Sequence, residues 1–333
     1  MKKLLFVPLL CLLLANAYAG SHAGAPDYQD LVDRTHATFK DLKDGANANY
    51  IPILDTVPSD LFGVVIVTKD GTVYAAGDVD YSFSIQSVSK PFTAALVMQQ
   101  QGPGAIAEKI GLEPTGMPFN SKLALELLPA RSVNPMVNAG AIAAVSMVEA
   151  NSERDRWNQV LDNLSGFAGE KLKLMKEVYD SEYETSWSNR AIANLLFNYE
   201  RLYSEPEEAL IVYTKQCSVG VNTRQLGMMG ATLANDGVHP VTGKQLLAAE
   251  HVPELLSIML TAGFYDESGQ WSYKAGLPAK TGVGGGIVAV VPDRMAIAAF
   301  SPRVNEAGNS IRAMKAIEMI SQELNLSLFD PGN

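Results

Sequence analysis

The chain has 333 residues, 47% of them hydrophobic and 19% charged, enough to bury a sizeable core as one large domain or two interleaved ones. Its formal net charge of −10 leaves no electrostatic footprint for nucleic acid or for an anionic membrane surface. Of the two cysteines, Cys11 falls in the N-terminal segment, so a chain without that segment keeps Cys217 alone and has no intrachain disulfide.

The first element is a targeting pattern. Lys2 and Lys3 precede an apolar run from Leu4 to Leu14, and Ala17-Tyr18-Ala19 then sets small residues two apart. This reads as a signal peptide, residues 1–19, cleaved after Ala19, with an apolar run too short for a bilayer span. Leu10 directly before Cys11 does not suit lipid attachment. Removing 1–19 takes away two lysines and no acid, so the net charge of the mature chain moves from −10 to −12. The expectation is a periplasmic or secreted protein with no membrane association after cleavage.

Asp30 to Leu42 carries Leu31, Val32, Phe39 and Leu42 at helical spacing and is closed by Gly45. Gly63-Val64-Val65-Ile66-Val67 and Val73-Tyr74-Ala75-Ala76 flank Asp70-Gly71, a hairpin signal. From Ser87 to about Gly263 the pattern is helical almost throughout; Leu226, Met229 and Leu233 form one face that ends at Asp236-Gly237. Strands return at Ile287 to Val291 and Met295 to Phe300, joined by Pro292-Asp293-Arg294. A last helix carries Ile311, Met314, Ile317, Ile320 and Leu324 along one side. The order predicts a mixed α/β (α+β) chain. A single antiparallel sheet is built from both chain ends (about 24–86 and 264–333), with an all-helical region inserted (about 87–263).

Two segments carry chemistry. Ser87-Val88-Ser89-Lys90 places a hydroxyl and an amine three residues apart where an extended segment turns into a helix, so both face one way and the amine can take the hydroxyl proton. Taken alone the motif is loose, because a serine that opens a helix is usually only a cap. The second segment is Lys280-Thr281-Gly282-Val283-Gly284-Gly285-Gly286. Its glycines open a strand rather than a helix, which argues against a phosphate loop. It is expected to be an edge strand along which substrate lies, with a backbone N–H to hold an oxyanion. Ser-x-x-Lys at a helix start with a late Lys-Thr-Gly strand is the pattern of the serine β-lactamase and penicillin-binding superfamily.

Within that superfamily the chain resembles the serine-dependent glutaminases from about Tyr50 to Phe300. The matching blocks begin with Tyr50-Ile51-Pro52, Phe83 to Pro91, and Glu113-Pro114-Thr115-Gly116 with Phe119-Asn120. They continue through Asn134 to Ile142, Ser181-Glu182, Asn189 to Ala193, and Tyr213 with Cys217-Ser218. The last are Leu233 to Gly237 with Pro240 to Gly243, Gly263 to Asp266, and Gly276 to Lys280 with Gly282 to Ile287. The resemblance places the nucleophile on Ser87 and the adjacent lysine on Lys90. It places substrate contacts on Asn138, Glu182, Asn189, Tyr213, Tyr265 and Val283, and a further active-site tyrosine on Tyr50. The implied reaction is hydrolysis of L-glutamine to L-glutamate and ammonia through a γ-glutamyl-serine intermediate.

L-Glutamine makes sense of that set. Glu182, the only carboxylate in it, suits the α-ammonium; Asn138, Asn189 and Tyr213 suit the α-carboxylate; the N–H groups of Ser87 and Val283 suit the oxyanion. Either Tyr50 or Tyr265 is the second proton-transfer group. Lysine must lose its proton to act as base, and burial or the like charge of Lys280 are the available causes. Each residue also has a plainer role: Asn138 and Asn189 as helix caps, Tyr213 and Tyr265 as core aromatics, Glu182 as a solvated charge, Cys217 as a buried thiol. Ser188 departs from the family where an arginine commonly precedes Asn189, and Thr281 departs where serine is usual. The family implies a homodimer or homotetramer.

Two other classes compete. A penicillin-interacting enzyme, β-lactamase or D,D-peptidase, would use the same Ser87 and Lys90, but no clear Ser-Asp-Asn element appears. A non-catalytic amino-acid-binding protein on this fold is opposed by the intact Ser-x-x-Lys. His22, His36, His239 and His251 are scattered without ligand spacing, so no metal or other cofactor is expected.

Overall fold

The computed structural model describes residues 26–127 and 133–331; the expected signal peptide lies outside them. Eight strands occur among the described residues: β1 (Gly63–Thr68), β2 (Val73–Gly77), β3 (Phe83–Ser84), β4 (Lys173–Leu174), β5 (Val219–Val221), β6 (Ala279–Thr281), β7 (Gly286–Val291) and β8 (Met295–Phe300). Five of them form an antiparallel sheet in the order β2-β1-β8-β7-β6. The N-terminal hairpin therefore joins the C-terminal strands along β1–β8, with Val65 opposite Ala298 and Gly63 opposite Phe300.

The central strands β1, β7 and β8 are apolar almost throughout because both faces are covered. Val64, Ile66, Ile287, Ala289, Ile297 and Ala299 point to the side held by helices Tyr28–Phe39 and Ile311–Glu323. The intervening Val65, Val67, Val288, Val290, Ala296 and Ala298 face Leu226 and Met229 of helix Thr223–Ala234 and the helices beyond. That helix lies close to the sheet through two glycines. A Cβ on Gly227 would sit 2.7 Å from methyls of Val65 and Val67, and one on Gly230 would sit 2.6 Å from Val288.

The middle of the chain differs from the sequence expectation in one respect. Three short strands, in the order β3-β5-β4, form a second sheet that the helical reading missed. They are too short to carry a period, and β5 follows directly on helix Pro206–Cys217. This small sheet places the nucleophile segment: β3 pairs with β5, and Ile85 N–H donates to Val219 O at 2.8 Å just before Ser87.

Helix boundaries moved by a few residues where caps decide them. The first helix begins at Tyr28 because the Asp27 carboxylate accepts from Asp30 N–H at 3.0 Å, and it ends at Phe39 rather than Leu42.

Candidate active site

Ser87 sits in a single 3-10 turn, Gln86–Ser89, that feeds helix Lys90–Gln101. Three residues per turn eclipses positions i and i+3, so this geometry aligns Ser87 with Lys90 more closely than an α-helix would. Lys90 Nζ lies 2.9 Å from Ser87 Oγ and donates to Asn138 Oδ1 at 2.6 Å. Both side chains are buried, with Lys90 only 1% exposed.

The network extends outward from that amine. Asn138 Nδ2 donates to Asn189 Oδ1 at 2.9 Å. Asn138 is the first residue of helix Asn138–Met147 and makes no cap; its amide bridges Lys90 to Asn189 instead. Glu182, on helix Lys176–Glu184, is buried and not the solvated charge of the plainer reading; its Oε2 accepts from Gln86 Nε2 at 2.9 Å. Tyr265 is buried at a left-handed φ of 59°, and its hydroxyl donates to Thr281 O at 3.5 Å.

These groups surround one pocket. Its walls include Tyr50, Gln86, Ser87, Phe119, Asn120, Asn138, Glu182, Ser186, Ser188, Asn189, Tyr213 and Val283. Tyr50 stands at the rim, 51% exposed, with its ring 6.4 Å from that of Phe119. Lys90 and Tyr265 stand behind Ser87 rather than in the wall. The backbone N–H groups of Ser87 and Val283 have no hydrogen-bond partner among the described residues, which leaves both available to an oxyanion.

Burial sets the protonation states. It brings Lys90 down to about 8, against the opposing pull of Cys217 and Glu182. It raises Glu182 to about 7, with the Gln86 hydrogen bond and the Lys90 charge working the other way. It pushes the Cys217 thiol upward, away from the thiolate a cysteine nucleophile needs.

The chain compares closely with proteins of one kind. The Glutaminase family model matches residues 45–329. This chain belongs to the glutaminase family. It is 49% identical over 304 residues to a glutaminase of Colwellia psychrerythraea, covering 91% of this chain and 98% of that one. It is 51% identical over 285 residues to a glutaminase of Brucella canis, covering 86% and 90%. Among solved structures, the probable glutaminase YbaS matches with a TM-score of 0.90 at 48% identity over 91% of this chain and 98% of that one. A probable glutaminase from Bacillus subtilis, complexed with 6-diazo-5-oxo-L-norleucine, matches with a TM-score of 0.84 at 30% identity over 92% and 98%. The enzyme has the serine β-lactamase-like fold that these structures share.

The expected edge strand is β6, at the end of the sheet, and the glycines of 282–286 let the chain after it pack on the nucleophile turn. A Cβ on Gly282 would lie 3.2 Å from Ser87 N, and one on Gly284 would lie 2.5 Å from Ser84 O. Lys280 is not what lowers Lys90. Lys90 is lowered by burial, against the pull of Cys217 and Glu182, whereas Lys280 is depressed first by burial and then by the Lys90 charge. At Ser188, where the family commonly has an arginine, a cation comes from another segment: Lys122 Nζ donates to Ser188 Oγ at 3.0 Å.

Sequence alone does not single out Gln86 as a site residue: its left-handed backbone and its contact with Glu182, 96 positions away, exist only in the fold.

Proposed function

We propose that this enzyme hydrolyses the side-chain amide of L-glutamine to L-glutamate and ammonia by double displacement on Ser87. The observation that carries this reading is the 2.9 Å contact between Lys90 Nζ and Ser87 Oγ at the base of a pocket in whose wall Glu182 is the single described carboxylate. Neutral Lys90 accepts the Ser87 proton as Oγ attacks the amide carbon. The oxyanion is held by the N–H groups of Ser87 and Val283, each such donor contributing roughly 2.7–4 kcal/mol to the transition state. Lys90 returns the proton to the amide nitrogen, the C–N bond breaks and ammonia leaves. Water then attacks the γ-glutamyl ester, giving its proton to Lys90, and Ser87 recovers the proton as glutamate departs.

The α-ammonium of glutamine suits Glu182. The amides and hydroxyl of Asn138, Asn189 and Tyr213 suit the α-carboxylate. Tyr265, its phenol pushed well above its ordinary range by burial, stays neutral behind Ser87, while Tyr50 closes the rim. The solved relative complexed with 6-diazo-5-oxo-L-norleucine supports a γ-carbonyl substrate placed against the serine.

Steady-state ammonia release from L-glutamine, L-asparagine and D-glutamine tests the reading. Ser87→Ala should abolish release while calorimetry still detects glutamine binding, and activity surviving that change would show that the nucleophile is misassigned. Turnover of a chromogenic cephalosporin without ammonia from glutamine would favour a penicillin-interacting enzyme instead.

The charged, apolar and small-residue order of residues 1–19 supports export to the periplasm or beyond, which N-terminal sequencing of the mature protein checks. A homodimer or homotetramer is supported by the family resemblance and by exposed apolar side chains such as Trp187, 75% exposed; light scattering checks it.

A further inference from the structure

The residue before the nucleophile holds a backbone conformation that glycine adopts most cheaply. Gln86 has a φ of 48°, in the left-handed region, although it carries a full side chain that is 98% buried, its exposure being 2%. A residue kept in such a conformation is a place to ask what its side chain does. The turn sends the Gln86 amide to Glu182, where Nε2 lies 2.9 Å from Oε2 and 3.4 Å from Ser84 Oγ. Gly284 packs on the same side chain, since a Cβ there would lie 3.2 Å from Gln86 Cγ. The Gln86 carbonyl accepts from Ser89 Oγ at 2.6 Å, locking the turn from its other end. Glu182 Oε1, by contrast, has no partner among the described residues, and Glu182 lines the pocket.

We propose that Gln86 is a positioning residue: its amide pins Glu182 Oε2, keeps Oε1 for the substrate's α-ammonium, and stabilises the ionised carboxylate that the ammonium needs. This rests on the reading that Glu182 receives the ammonium. A carboxylate accepts but cannot donate, so a donor on one oxygen leaves the other as the cation's acceptor and fixes the rotamer. The titratable groups that face Glu182 from other elements are Lys90, Tyr50, Tyr213 and Cys217. Of these only Lys90 can carry the positive charge that favours ionised Glu182, so Gln86 is its one neutral supporter.

The test is kinetic, on the full-length enzyme with L-glutamine from pH 5 to 9. Gln86→Met keeps the volume and removes the amide. Its KM should rise about tenfold or more with kcat changed by less than about threefold, and the acid limb of kcat/KM should move to higher pH. Gln86→Gly also removes the amide but relieves the left-handed backbone; it should show the same KM and pH effects with an unchanged or higher melting temperature. A purely structural role would lower kcat evenly across the pH range and would not move the limb. Should the methionine variant fail to fold, the glycine variant carries the measurement. KM within twofold of wild type and an unmoved limb would overturn the role of Gln86. Absence of glutamine turnover by the wild type would overturn the underlying reading of the site instead.

Discussion

Lys90 and Lys280 converge on one ring: their amine nitrogens lie 5.7 and 4.0 Å from the centroid of Tyr265. Both are buried, and neither has a carboxylate within ion-pair distance among the described residues. Two ammonium groups this enclosed disfavour each other, and burial with the Lys90 charge depresses Lys280, whose nitrogen donates to the carbonyls of Gly263 and Thr281 at 2.9 and 2.8 Å. A neutral amine has two hydrogens for those two acceptors.

The pH profile follows from the burial of Lys90. With the base titrating at about 8, kcat should rise with pH through that value, because the protonated form below it has no lone pair for Ser87. Lys280→Met should leave the midpoint in place, since burial and not Lys280 lowers Lys90; a midpoint that climbs would mean that Lys280 carries charge beside Lys90. Lys90→Arg cannot lose its proton and should cost on the order of 10²–10⁴-fold in kcat.

Glu182→Gln separates binding from stability. Loss of the charged partner for the α-ammonium should raise KM for glutamine roughly 10–100-fold, measured above neutral pH where the wild-type carboxylate is ionised. The same change should help the fold. Because burial raises Glu182 from 4.5 to about 7, ionising it opposes folding; that cost is absent below 4.5 and complete above about 7. Thermal denaturation of wild type and Glu182→Gln without ligand should therefore diverge as pH rises across this window, with the variant the more stable.

Gly284→Val should damage both stability and turnover. The position has no room for a Cβ, which would meet Ser84 O at 2.5 Å, and the backbone carbonyl it meets belongs to the segment that carries Ser87. Forcing the two apart should cost about 1–3 kcal/mol, read from the denaturant midpoint, and should lower kcat by moving Val283 N–H away from the oxyanion position.

Arg312 offers a stability test far from the chemistry. From helix Ile311–Glu323 its buried guanidinium directs Nε to Ser301 Oγ, Nη1 to the carbonyls of Lys40 and Asp60, and Nη2 to those of Ser59 and Leu61. Five donors thus meet five acceptors from three separate segments. Arg312→Met would strand carbonyls that water cannot reach and should cost on the order of 3 kcal/mol by chemical denaturation, with little change in KM.

The outer frame of the fold was legible because each of its parts is local. The hairpin at Asp70-Gly71, the paired strands around Asp293 and the amphipathic last helix each show their period within a dozen residues. The three-strand sheet was not legible: β3 and β4 have two residues each and exist only through β5.

By itself the sequence determined the chemical inventory: a hydroxyl and an amine one turn apart, a glycine-rich strand end, and the carboxylate, amides and tyrosines that mark the family. Tertiary structure alone decided what state those groups are in. Lys90 titrates at about 8 and Glu182 at about 7 because side chains distant in sequence close over them and remove water. Burial and hydrogen-bond direction are sums over neighbours from many segments, and a linear chain does not display them. For the same reason the close approach of Gly282 and Gly284 to the backbone of the Ser87 segment appears only in the fold.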